Sequence, residues 1–242
     1  PLIAHRRLLS GCQAHWPRLL DATPTAEAPR YGSADAPLLL VYTSGTTGRP
    51  KGATLSHRSI INNAISTARA MHLTPEDILC IPVPLYHCFG MVMGNLACTS
   101  HGATMMIPSD GFDAARTLEA VSQERCTALY GVPTMFIAEL AFEDFTKFDL
   151  SSLRTGVMAG APCPVAVMKQ CIERMHLREV TICYGMTETC GIITALSGEY
   201  FIDRPESCGP VMPTFELQLI DEQGNVVPDG EVGELTVRGG AV

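Results

Sequence analysis

The densest chemistry in this sequence is TSGTTGRPKG, residues 43–52, which directly follows the apolar run LLLVY. The hydroxyls of Thr43, Ser44, Thr46 and Thr47 crowd together with Gly45, Gly48 and Gly52. Hydroxyl and backbone donors with little steric cover suit a phosphate, because glycine lets the main chain come close. Lys51 adds a point charge. The loop is not of the Walker type, which needs four residues between its first glycine and a Gly-Lys-Ser/Thr end. Here Gly45 and Gly48 are three apart and Lys51 precedes Gly52. A plain Gly/Thr surface loop is the bland alternative, disfavoured by its place behind a buried strand pattern.

Two further stretches end apolar runs in small and polar residues. YGMTET, residues 184–189, carries Glu188, the one acidic residue in these nucleotide-binding candidates. Mg²⁺ prefers one carboxylate plus substrate phosphates to an all-protein cage, so Glu188 is the candidate metal ligand. Alone, a Thr-Glu pair also reads as a helix start. VMAGAP, residues 157–162, reads alone as a strand-to-helix turn. PLYHCFGMVMG, residues 84–94, places His87 among Phe89, Met91 and Met93. That cluster fits an apolar tunnel wall or a buried helix.

These residues need a scaffold. Apolar runs at 38–43, 78–83, 103–107, 126–131, 155–159 and 180–185 alternate with amphipathic segments at 56–71, 114–124 and 164–175. Ser56 is a candidate cap and Pro164 a first-turn proline. The pattern predicts an α/β fold, a mainly parallel sheet with helices on both faces. Open sheets of this kind bind ligands at the C-terminal ends of their strands, where the motifs above fall. FELQLID (215–221) and GELTVRG (233–239) flank a turn-rich stretch and predict a small antiparallel β-hairpin. The expected division is a poorly patterned segment at 1–37, a core at 38–200 and the hairpin subdomain at 201–242.

Composition narrows the classes. With 46% hydrophobic and 17% charged residues the chain forms a core. A net charge of -8 and no basic run argue against a nucleic-acid partner. No apolar stretch is long enough for a transmembrane segment. The ten cysteines contain no C-x-x-C pair and fit a reducing compartment.

TSGTTGRPKG resembles the signature of the adenylate-forming (AMP-binding) superfamily, and VMAGAP and YGMTET follow in the family's order. The resemblance runs from residue 38 onward and is nearest to the medium-chain fatty-acid branch of the acyl–CoA synthetases. It implies ATP, Mg²⁺ and CoA as the small molecules used with a carboxylic acid substrate. It implies that Thr43, Ser44, Gly45, Thr46, Thr47, Gly48 and Lys51 hold phosphates. Gly160, Ala161 and Pro162 would line the adenine side, as would Tyr184, Gly185 and Met186, with Tyr184 stacked on the base. Thr187 would meet the α-phosphate and Glu188 the metal. His87, Phe89, Gly90 and Met91 would border the acid, together with Tyr130 and Gly131 of YGVPTMF. Lys51, Thr187, Glu188 and His87 are the expected catalytic set. Amino-acid-activating relatives carry an aspartate near His87; residues 84–94 have none, which points to an acid without an α-amino group.

GELTVRG resembles the strand before the family's ribose-binding aspartate. That aspartate, the domain bearing the catalytic lysine and the first part of the N-terminal domain fall outside this sequence. The expectation is a partial enzyme that binds nucleotide and turns over poorly. A carrier-loading adenylation domain and a non-catalytic nucleotide-binding remnant remain the alternatives. The expected compartment is the cytoplasm, with the mitochondrion as alternative.

Overall fold

The computed structural model describes residues 32–43, 49–197, 200, 203–204 and 207–242. Six strands form the central sheet in the order β4-β3-β5-β6-β7-β8. They are β3 (Ile78–Cys80), β4 (Thr104–Met106), β5 (Ala128–Gly131), β6 (Thr155–Ala159), β7 (Glu179–Met186) and β8 (Gly191–Ser197). All neighbours run parallel except β7 and β8.

Strand alternation splits the interior in two, because successive side chains leave opposite faces. Cys80, Leu129, Met158 and Ile182 pack against α3 (Ala114–Glu124), α4 (Pro133–Leu140) and α5 (Val165–Met175). Leu79, Tyr130, Val157 and Cys183 face the other way. There they meet α1 (His57–Ala70), a π-helix (Phe89–Leu96) and α2 (Ala97–His101). The expected helices on both faces are therefore present.

The helix limits follow local chemistry. Ser56 caps α1 and exchanges hydrogen bonds with Ser59, closing a capping box. Asp113 caps α3 through the Arg116 amide at 2.9 Å. Pro164 is the N-cap of α5 rather than a first-turn residue, and it is Pro133 that occupies the first turn of α4.

The structure departs from the sequence reading at three strands. The run at 38–43 is not part of the parallel sheet. It forms β1 (Pro37–Thr43), paired antiparallel with β2 (Lys51–Ser56) in a separate two-stranded ribbon. Leu38, Leu40 and Tyr42 are exposed while Leu39 and Val41 are half-buried, so a continuous apolar run hides a two-residue alternation. The run at 78–83 keeps strand geometry only to Cys80, since Pro82 and Pro84 cannot donate to a ladder. Strand β8 has no counterpart in the sequence reading. The C-terminal hairpin is present as β9 (Phe215–Ile220) and β10 (Glu234–Gly239), and its Phe215 is buried in the second core.

Candidate functional site

A cavity of about 440 Å³ opens at the C-terminal ends of β6 and β7. Four parts of the fold converge on it. Thr43 and Lys51 come from the β1–β2 ribbon; the intervening residues Ser44, Gly45, Thr46, Thr47 and Gly48 lie outside the described residues. His87 and Phe89 come from the loop and π-helix after β3. Gly160 comes from the end of β6. Tyr184, Gly185, Met186, Thr187 and Glu188 come from β7 and the turn behind it.

Two glycines have backbone reasons to be there. Gly160 sits at φ 86°, a left-handed conformation that L-residues avoid. A Cβ on Gly185 would overlap the carbonyl oxygen of Gly191, where the β7–β8 register slips. That close approach turns the chain through a 3₁₀ turn at Thr187–Thr189 and leaves Tyr184 40% exposed at the cavity.

Glu188 is exposed and makes no ion pair or hydrogen bond among the described residues. A free carboxylate on a cavity wall is suited to a hard cation whose other ligands are phosphate oxygens and water. No cluster of three acidic, histidine or cysteine side chains exists among the described residues to form a closed cage. His87 Nδ1 accepts the Phe89 N–H at 3.1 Å, so the neutral ring carries its proton on Nε2. Protein packed around the ring disfavours the imidazolium and lowers its pKa. Burial pushes the Cys88 thiol up to about 11, so it meets a ligand uncharged.

Several expected site residues are elsewhere. Tyr130 is fully buried one layer behind Phe89, with ring centroids 5.2 Å apart. Its hydroxyl is used internally, donating to the Met93 carbonyl at 2.8 Å. Gly131 and Gly90 are packed in the interior, and Met91 is half-buried beside the cluster under the ribbon. Ala161 and Pro162 are exposed and not on the cavity wall. The wall instead includes Cys88, Met93, Ala159, Cys183 and Ile192. Cys183 reads in sequence only as a small core residue, and its place directly before Tyr184 of YGMTET was the available signal.

One supporting residue escaped the sequence reading. Asn63 of α1 is fully buried and donates from Nδ2 to the carbonyls of Thr189 at 3.0 Å and Ile192 at 2.8 Å. Its signal is a polar residue three positions after Ile60, on the apolar stripe of an amphipathic helix.

Residues 6–242 match the AMP-binding enzyme family. The chain belongs to this family. Among AMP-binding relatives, it is 46% identical over 203 residues to acyl-CoA ligase sidI of Aspergillus fumigatus, covering 83% of this chain and 34% of that protein. It is 42% identical over 212 residues to the medium-chain acyl-CoA ligase ACSF2, mitochondrial, of Danio rerio, covering 85% and 34%. A solved AMP-binding structure, O-succinylbenzoate coenzyme A synthetase of Bacillus subtilis in complex with ATP and magnesium ion, superposes with a TM-score of 0.79. It is 30% identical, and the match covers 89% of this chain and 44% of that one. The chain thus spans about a third of the length of the curated relatives it matches.

Proposed function

We propose that this chain carries the nucleotide- and acid-binding core of an ATP-dependent acid–thiol ligase. The substrate is a fatty acid, of medium chain length by kinship with the Danio rerio relative. The observation that carries the reading is the convergence of Thr43, Lys51, Thr187 and Glu188 with His87 on one cavity. A cation, two hydroxyls, an unpaired carboxylate and a neutral imidazole around one space suit phosphoryl chemistry, in which the protein positions reactants and neutralises charge.

In the proposed first step the acid's carboxylate attacks the α-phosphorus of ATP, forming an acyl-adenylate and releasing pyrophosphate. In the second the thiol of CoA attacks the acyl carbon and AMP leaves. Lys51 draws the phosphate oxygens toward the ribbon, and the Thr187 hydroxyl donates to the α-phosphate. Glu188 holds Mg²⁺, which when bound neutralises the phosphate charge. Tyr184 offers an exposed ring face to adenine, beside Gly160. His87 stays neutral and borders the acid with Phe89, excluding water without placing a charge there. The structure with ATP and magnesium supports these assignments by likeness alone.

Residues 38–200 are taken as the nucleotide- and acid-binding core and 201–242 as an appended hairpin subdomain. By itself the chain is proposed to bind nucleotide weakly and turn over little, since it spans a third of its relatives. No helix among the described residues is long and apolar enough to cross a membrane. We place the protein in the cytoplasm, with the mitochondrion as alternative.

Pyrophosphate release by the full-length protein tests this reading. Medium-chain fatty acids should support release and free amino acids should not. Preferential release with an amino acid refutes the acid assignment. Acyl-adenylate formation by this chain at the full-length rate refutes the assignment of a partial enzyme.

A further inference from the structure

We infer that Asn63 is a positioning residue for the Thr187–Glu188 turn, and that it ties the placement of Glu188 to that of Lys51. The inference rests on reading the cavity as a Mg·ATP site. Asn63 makes three main-chain hydrogen bonds, one to Thr189 at the end of the turn and two to Ile192 at the start of β8. Nδ2 donates to the Thr189 and Ile192 carbonyls at 3.0 and 2.8 Å, and Oδ1 accepts the Ile192 N–H at 3.3 Å. These bonds bracket Cys190 at φ 64° and Gly191 at φ 134°. A cysteine in the left-handed region is disfavoured and must be held there by its surroundings. Asn63 supplies that hold by joining both sides of the pair.

The chemistry of the contact requires an amide. Two donors and one acceptor must leave one planar group of this size. An aspartate would set a carboxylate oxygen against two carbonyl oxygens, and an aliphatic residue would leave buried main-chain groups without partners. A second contact comes from the same helix, where Ile60 and Ala64 pack in one buried cluster with Cys190. The Thr67 hydroxyl donates to the Asn63 carbonyl at 2.9 Å, anchoring the residue from below. Helix α1 follows β2 without a break, and β2 begins at Lys51. The cation of Lys51 and the grip on the Glu188 turn therefore ride on one continuous strand–helix unit, 51–63. Such support fixes a ligand as firmly as the ligand fixes its metal.

The test uses the full-length protein with Asn63→Asp and Asn63→Ser, measuring adenylate formation across Mg²⁺ and acid titrations. The expected kcat falls about a hundredfold, as for a small displacement of a reacting group. Half-saturating Mg²⁺ should rise about tenfold, while KM for the acid stays within about twofold. A residue serving only the core would lower the Tm and leave the Mg²⁺ requirement unmoved. Folded variants with kcat and Mg²⁺ half-saturation both within about threefold of wild type overturn the inference. So does the absence of cooperative melting in both variants, which would make Asn63 a folding residue. A wild-type protein that forms no adenylate overturns the functional reading instead. Calorimetric titration of the same variants with Mg·ATP then decides alone: about tenfold weaker binding supports the role of Asn63, and equal binding overturns it.

Discussion

Thr43 and Lys51 stand directly opposite each other in the β1–β2 register, and the Thr43 hydroxyl donates to the Lys51 carbonyl at 3.4 Å. The last residue before the hydroxyl-rich loop and the cation after it thus meet at the cavity wall.

Lys51→Ala should weaken ATP binding by the full-length protein by about 1.5–3 kcal/mol, the worth of a hydrogen bond to a charged group. The fold should hold, because Lys51 is exposed. Titration calorimetry reads the change, and an unaltered affinity would take Lys51 out of the site.

Glu188→Gln keeps the shape of the side chain and removes its charge. Mg²⁺-dependent adenylate formation should drop by about 10²–10³, as for other single electrostatic contacts in reacting sites. A rate within about twofold of wild type at saturating Mg²⁺ would assign the ion to another residue.

Asp77→Ala should cost about 3 kcal/mol of stability, at the lower end for breaking a buried pair because Arg154 keeps Glu179 as a second partner. Arg154 Nη2 donates to Asp77 Oδ2 at 2.7 Å, and Asp77 is 3% exposed. Burial pushes the Asp77 carboxyl up. Hydrogen bonds from Arg154, the Thr127 hydroxyl and the Thr74 amide outweigh burial and hold its pKa below the ordinary value. A depressed carboxyl stabilises above its unfolded pKa of about 3.8 and stops doing so as pH falls through the folded value. Urea melts of wild type and variant should therefore differ at pH 7 and converge in acid.

Glu139 carries the opposite sign. It is 1% exposed, neither carboxyl oxygen has a hydrogen-bond partner among the described residues, and burial raises its pKa well above 4.5. Its contribution is intact below the unfolded pKa and erodes as pH rises, by at most about 1.4 kcal/mol per pH unit. Glu139→Gln should be more stable than wild type at pH 8 and nearly equal to it near pH 5. Parallel pH profiles would show that the carboxyl finds a counter-charge in solution.

How much of this was legible in sequence depends on whether the deciding contact is local. Helix α3 was readable to the residue because Asp113 caps it from inside the same segment. That β3, β5, β6 and β7 run parallel followed from apolar runs joined by helices, but their order in the sheet did not. The β1–β2 ribbon was not readable, since LLLVY looks the same whether one face or both are covered. Strand β8 was hidden because its turn depends on Asn63, 126 residues from Thr189. At the cavity, Thr43, Lys51, His87 and Thr187–Glu188 came together from motifs alone. Tyr130 did not reach it, because Phe89 lies between and the Met93 carbonyl takes its hydroxyl.

Among the described residues the ribbon of β1 and β2 shares no strand pairing with the six-stranded sheet, and its inner residues, such as Ala53 and Leu55, are held by side-chain packing against Ile60 and Ala64 of α1, Val92 of the π-helix and Cys190. A two-stranded ribbon has little stability of its own. Its amides can exchange with solvent through an opening that the sheet never feels. Under native conditions, deuterium should enter Leu40 and Val41 well before Leu129 and Val157. Nucleotide bound at Lys51 should slow that uptake in the ribbon first.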